Sequence, residues 1–254
     1  MPAALVDRTA GTGFDSAFPR ALARLAEDGP ITVLFSGGLD SSLIAWELRG
    51  REETVLWSVG QEGSPDLDAA RSAAEVMGLT WQHATLTGAD VEAALERFAV
   101  ELRGAEGPPL DVAVAFALAL DRAPTTRVLA GQGADELFLG YAHFRGLTEE
   151  QAARRADADL RRLLDLEWPR AQRIAERAGH RLVAPFLEPE VVRAALEIPL
   201  AERMPGDVPK QWLRGWAIAR GLAPEIASRP KRAIQYGSRV QRLLRELRPL
   251  SRSR

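Results

Sequence analysis

Residues 31–42 read ITVLFSGGLDSS, five apolar residues that run straight into Ser36, Gly37, Gly38, Leu39, Asp40, Ser41 and Ser42. Those residue types in that order suit an anion. Paired glycines let backbone N–H groups approach a ligand, and a helix starting at the same place aims its positive end there. The serine hydroxyls can donate to phosphate oxygens, and Asp40 can hold the magnesium that accompanies a nucleotide's phosphates. No lysine follows the glycines, so this is not the GxxxxGKS/T loop that cradles a transferable γ-phosphate. Two glycines after a strand also suit a plain tight turn; an apolar strand before them and a helical pattern after them favour the phosphate cradle.

A second stretch, GQGADELFLGY at 131–141, again begins where an apolar run ends. Asp135 can give a second carboxylate to the same magnesium, while Gly131 and Gly133 leave room for a flat base or sugar against the backbone. Asp135 and Glu136 also suit an ordinary helix start, where each is worth about 0.5 kcal/mol. A third stretch, RPKRAIQYGS at 229–238, sets Lys231 between Pro230 and Gly237 in a chain that otherwise prefers arginine. A compact ammonium there would stabilise charge developing on a phosphoryl or carbonyl oxygen.

These loops need strands to carry them. Apolar runs predict strands at 31–35, 54–60, 79–86 and 127–131, and the segments between them carry helical spacing at 40–48, 66–77, 91–102 and 111–120, with Asp111 as an N-cap. The alternation predicts an α/β fold, a doubly wound, mostly parallel sheet with helices on both faces. In such a sheet ligands bind outside the carboxyl ends of the strands, so the loops after the first and fourth strands should open into one cavity. From 136 to 247 the periodicity is helical, broken by prolines, with no convincing strand. The expected organisation is an N-terminal helical or irregular segment at 1–29, one domain at 30–247 made of a sheet core (30–135) and a helical half packed on it (136–247), and a frayed tail at 248–254.

The 254 residues suffice for one large domain. Hydrophobic content of 46% beside 27% charged residues is that of a soluble globular protein. Without an apolar run of eighteen residues or an export signal, the expectation is a cytoplasmic protein with no membrane span. The net charge of −2 offers no field for nucleic acid. Arginines between 154 and 181 alternate with acids, the pattern of a solvated helical face. There is no cysteine, which removes thiolate metal sites and cysteine nucleophiles. His83, His143 and His180 lack metal-ligand spacing.

Taken together, the three stretches resemble the synthetase domain of the asparagine synthetase B family, within the N-type ATP pyrophosphatases of the PP-loop superfamily. SGGLDSS resembles the family's pyrophosphate loop, and GQGADELFLGY resembles its GEGSDEVFGGY. WSVGQEGSPDLDAARSAAEVMGLTWQHATLT, VAPFLEPEVVRAALEIP, KQWLR and RPKRAIQYGS extend the likeness over roughly 30–240. The resemblance implies an adenine nucleotide α-hydrolase-like fold and a ligase that needs ATP and Mg2+. In such a ligase a carboxylate attacks the α-phosphorus, pyrophosphate leaves, and ammonia or an amine displaces AMP to form an amide. It places Ser36, Gly37, Gly38, Leu39, Asp40, Ser41 and Ser42 at the pyrophosphate, Asp40 and Asp135 on magnesium, and Leu34, Val59 and Gly131 against the adenosine. Lys231 would stabilise the adenylate-forming transition state, and Gln132 would lie near the acyl-adenylate and the incoming amine.

Three departures qualify the likeness. The family's full-length members begin with a glutaminase domain whose N-terminal cysteine releases ammonia; the chain shows neither, so the expected partners are a small carboxylate, free ammonia or an amine, and a separate glutaminase subunit. Gln132 stands where asparagine synthetases carry a glutamate. GPPLDVAVAF at 107–116 lacks their arginine-containing pattern, so the likeness does not extend to aspartate as the acid. Besides the AMP-forming amide ligase, two readings stay open: a nucleotide-binding subunit without catalysis, docked on a separate glutaminase or synthetase, and a tRNA-modifying or sulfur-transferring PP-loop enzyme, which the absence of cysteine disfavours. A homo-oligomer is compatible with any of the three.

Overall fold

The computed structural model describes residues 13–27, 29–204, 206, 208–230 and 234–247. Lys231, the tail at 248–254 and the first twelve residues of the N-terminal segment lie outside them. In chain order the elements are α1 (Gly13–Leu25), β1 (Ile31–Leu34), α2 (Leu39–Glu47), β2 (Thr54–Gly60), α3 (Pro65–Met77), β3 (Trp81–Thr85), α4 (Gly88–Arg97), α5 (Pro108–Asp121) and β4 (Arg127–Leu129). Then follow α6 (Ala134–Leu137), α7 (Glu149–Arg162), α8 (Trp168–Ala178), β5 (Arg181–Val183), α9 (Pro189–Glu197), α10 (Leu200–Arg203), α11 (Gln211–Ala219), α12 (Pro224–Ala227), α13 (Ile234–Gly237) and α14 (Val240–Leu247).

Local chemistry sets many of these boundaries. Pro65 opens α3 and Gly78, with φ of 66°, closes it in the left-handed conformation that glycine adopts without strain. Reciprocal bonds between Thr87 and Asp90 start α4, and Thr148 with Gln151 starts α7 in the same way. The helix expected at 91–102 therefore runs a turn earlier than its apolar spacing suggests, because the cap lies at Thr87. Asp111 is not an N-cap: the prolines at 108 and 109 fit the first turn of α5, whose cap is Gly107.

All five strands are parallel, in the order β3-β2-β1-β4-β5. Val33 of β1 lies opposite Leu56 on one side and Leu129 on the other. The strand order reverses between β1 and β4, which opens a crevice at their carboxyl ends. One face of the sheet buries Ile31, Val33, Leu56 and Leu129 against α1, α2, α9 and α11. The other buries Trp57, Val59, Val128 and Ala130 against α4, α5, α8 and α14. Alternate residues of each strand thus feed opposite cores, as period-two side chains must.

The second half is not purely helical. β5 joins the sheet edge with Arg127 opposite Arg181 and Leu129 opposite Val183. Three residues with an exposed arginine at the start carry no readable strand pattern; β5 exists because the edge of β4 offers unpaired backbone groups. Trp212 and Trp216 pack in the core on Phe14, with Phe138 stacked on Trp212. Among the described residues, no helix is long and apolar enough to cross a membrane.

Candidate active site

β1 delivers Leu34 and Phe35 to the crevice, and the chain then turns sharply. Gly37 has φ of 64°, and a Cβ there would stand 2.4 Å from the Ala69 carbonyl oxygen of α3. Only glycine satisfies both constraints. Ser36 Oγ and Ser41 Oγ turn back on the loop: Ser41 Oγ accepts from the Ser36 amide at 3.3 Å and donates to the Gly38 carbonyl at 3.3 Å. Such long bonds leave both hydroxyls available to a better acceptor. The first turn of α2 then presents Asp40.

The loop after β4 reaches the same place. A Cβ on Gly131 would lie 3.0 Å from the Cβ of Asp40, so the two loops are in contact. Asp40 and Asp135 share one cation. Lys210 Nζ donates to Asp40 Oδ1 and Oδ2 at 2.6 and 2.5 Å and stands 2.8 Å from Asp135 Oδ1. Burial alone would lower the lysine's pKa, but Asp135 and Asp40 together outweigh it and hold the group above its ordinary range. Lys210 adopts φ of 57°, a left-handed conformation that a side chain occupies only at a cost. Arg214 supports it, donating to the carbonyls of Pro209, Ala227 and Arg229 while its own amide donates to that of Lys210. Gly140 leaves the pair room, since a Cβ there would sit 1.9 Å from Asp135 Oδ1 and 2.3 Å from Lys210 Cε.

Beside this centre lies Glu136, buried, with Tyr141 Oη donating to it at 2.5 Å. Burial, reinforced by the neighbouring Asp135 charge, lifts the Glu136 carboxyl to about 7 against the opposing pull of the Tyr141 hydrogen bond. Burial and the Glu136 charge in turn push the Tyr141 phenol upward.

Leu34, Ser36, Gly38, Leu39, Asp40, Ser41, Val59, Gly131, Gln132 and Asp135 all border one cavity of about 500 Å3. Gly37 and Ser42 do not. Gly37 backs onto α3, and Ser42 is fully buried, because successive residues of a helix point in different directions and Ser41 takes the cavity side. Lys231 lies outside the described residues, although Arg229, Pro230, Ile234 and Gln235 on either side of it border the cavity. Arg229 ties that segment to the phosphate loop by donating to the Ser36 carbonyl at 2.5 Å, and it pairs with Asp66 at 3.3 Å.

Sequence reasoning missed Lys210, whose partner Asp40 is 170 residues away. The signal that could have found it is the rarity of lysine, which occurs only at 210 and 231. It also missed the wall formed by α7, the π-helical turn Leu163–Glu167 and α8. That turn brings residues five apart together, and Glu167 pairs with Arg162 at 3.0 Å.

The donor set fits a magnesium nucleotide. Two carboxylates converge on a point where a cation already stands, and magnesium is commonly held by one or two carboxylates plus phosphate oxygens and water. The nine-residue α2 starts at Leu39 with Asp40 in its first turn, so its positive end lies at the same loop.

The profile of the asparagine synthase family matches residues 13–181 and 146–254. A glutamine-hydrolysing asparagine synthetase from Cricetulus griseus is 31% identical over 238 residues, covering 88% of this chain and 42% of the relative. The one from Homo sapiens is 31% identical over 228 residues, with 84% and 41% covered. The chain thus spans less than half the length of either relative. A solved structure described as a predicted subunit of tRNA methyltransferase from Methanocaldococcus jannaschii aligns with 80% of this chain and 93% of its own, at 19% identity and a TM-score of 0.38.

Proposed function

Because the chain belongs to the asparagine synthase family, we propose that it is an ATP-dependent, AMP-forming carbon–nitrogen ligase. It joins a carboxylate to the α-phosphorus of ATP, releases pyrophosphate, and passes the acyl group to ammonia or an amine. The observation that carries this reading is the convergence of Asp40 and Asp135, from the loops after β1 and β4, on the single ammonium of Lys210. A magnesium ion taken up between those carboxylates would neutralise the β- and γ-phosphates as a leaving unit.

The chain's own residues supply the rest. Backbone amides of Gly38 to Ser41 and the hydroxyls of Ser36 and Ser41 hold the pyrophosphate portion, and Leu34, Val59 and Gly131 bound the adenosine. Lys210, displaced from the carboxylates, swings its ammonium onto a phosphate oxygen, so charge that appears at the leaving group meets a cation already in place. Lys231 serves the adenylate-forming transition state. A separate glutaminase subunit is a source of ammonia for such a site.

Product analysis tests this. Incubating the chain with Mg-ATP and a panel of carboxylic acids should yield AMP and pyrophosphate only when the right acid is present; ADP and phosphate would remove the proposal. A second reading, a nucleotide-binding subunit without turnover, is favoured by Gln132, whose amide cannot take a proton from an amine. It predicts Mg-ATP binding with no product for any acid.

A further inference from the structure

The cavity wall carries a cation that no described protein group engages. Asp40 and Asp135 share Lys210, Asp66 pairs with Arg229, Glu136 accepts from Tyr141, and Glu167 pairs with Arg162. Every carboxylate of the wall is therefore engaged. Arg170, in the first turn of α8, borders the same cavity, yet among the described residues no ion pair or hydrogen bond reaches its guanidinium, and its Nε is buried without an acceptor. Gln132 contributes a buried Oε1 with no donor. An unmatched cation beside the unmatched acceptors Gln132 Oε1 and Gln235 Oε1 in one cavity asks for a ligand with an anionic group and an N–H, and among the described residues no spare carboxylate remains to hold an ammonium.

We propose, resting on the ligase reading above, that the amine substrate is an α-amino acid whose carboxylate docks on Arg170 and whose neutral amino group donates to Gln132 Oε1. The amide oxygen of Gln132 accepts from the amine's N–H without taking its proton. The amino nitrogen attacks the carbonyl carbon of the acyl-adenylate, and the new C–N bond replaces the C–O bond to phosphate. AMP leaves with that electron pair, and the surplus proton on nitrogen passes to water. The product is an N-acyl amino acid.

Calorimetric titration reads this without turnover. The full chain, saturated with magnesium and a non-hydrolysable ATP analogue, is titrated with each proteinogenic amino acid, the corresponding methyl esters and ammonium chloride. At least one free amino acid should bind, its ester about tenfold more weakly, and Arg170→Met should lose a similar factor of which Arg170→Lys recovers part. The inference is overturned if no amino acid binds, if ester and acid bind alike, or if Arg170→Met weakens the nucleotide analogue instead, which would assign the guanidinium to phosphate. Carboxylate-dependent exchange of pyrophosphate into ATP requires no amine. Exchange without amino-acid binding therefore sinks this inference alone, whereas no exchange with any acid sinks the ligase reading.

Discussion

Lys210 is the residue on which the site's electrostatics turn. Its ammonium is buried between two carboxylates, and removing one partner of a buried charge cluster strands the others. Lys210→Met should lower the stability of the magnesium-free protein by about 3 kcal/mol. Added Mg2+ should restore more of the thermal midpoint in the variant than in the parent, because the metal replaces the missing cation; equal Mg2+ responses would contradict the reading. Glu136 gives a second test. Its carboxyl titrates at about 7 instead of 4.5, so between those values the folded chain holds a proton that the unfolded chain has released. Stability therefore falls as pH rises through that window. Glu136→Gln should flatten the slope in chelator-containing buffer and leave the variant more stable above pH 7, by up to about 3 kcal/mol. A slope unchanged by the substitution would contradict the assignment. At this scale the sequence was uneven: Asp40 and Asp135 could be read from their glycine-bearing loops, whereas Lys210 draws its role from a left-handed backbone and partners far away in the chain. Arg170 sat in an arginine-rich stretch, of which Arg154 and Arg161 pair on the solvated face.

Boundaries set by local chemistry were legible only in part: the Thr87 cap of α4 and the Gly107 cap of α5 were missed. Gly78 closes α3 where a left-handed residue is required, and β1 reads plainly because its apolar run ends in glycines. β5 was not legible, since its pairing comes from β4 and not from its own three residues. The π-helical turn between α7 and α8 likewise has no sequence mark, although it aligns Arg162, Glu167 and Arg170 along one wall. Caps and site glycines should separate cleanly in experiment. Thr87→Ala removes the cap of α4, which does not border the cavity, and should cost about 1 kcal/mol in denaturant unfolding with Mg-ATP affinity unchanged. Gly140→Ala places a methyl group within 1.9 Å of Asp135 Oδ1, so it should abolish magnesium-dependent nucleotide binding. The converse pattern would mean that the site does not depend on that close approach.

On the scale of the whole molecule, two cores on opposite faces of one parallel sheet hold the β1 and β4 loops at a fixed separation, and the helices after β4 return Lys210 and Arg229 to the same crevice. The α/β class and the meeting of the two loops followed from alternation and the carboxyl-end rule, and a helical half packed on the sheet was expected; the return of Lys210 to the crevice was not, because helical periodicity says nothing about where a helix docks. Above all, Asp40 and Asp135 are proposed to act on a single metal-bound triphosphate. A double-mutant cycle on Mg-ATP affinity, measured calorimetrically with Asp40→Asn, Asp135→Asn and the pair, tests it most directly. The predicted result is strong non-additivity, with a coupling of at least about 1 kcal/mol and a double variant hardly worse than the poorer single one. Losses that simply add would show that the two carboxylates serve separate sites, and the claim would fall.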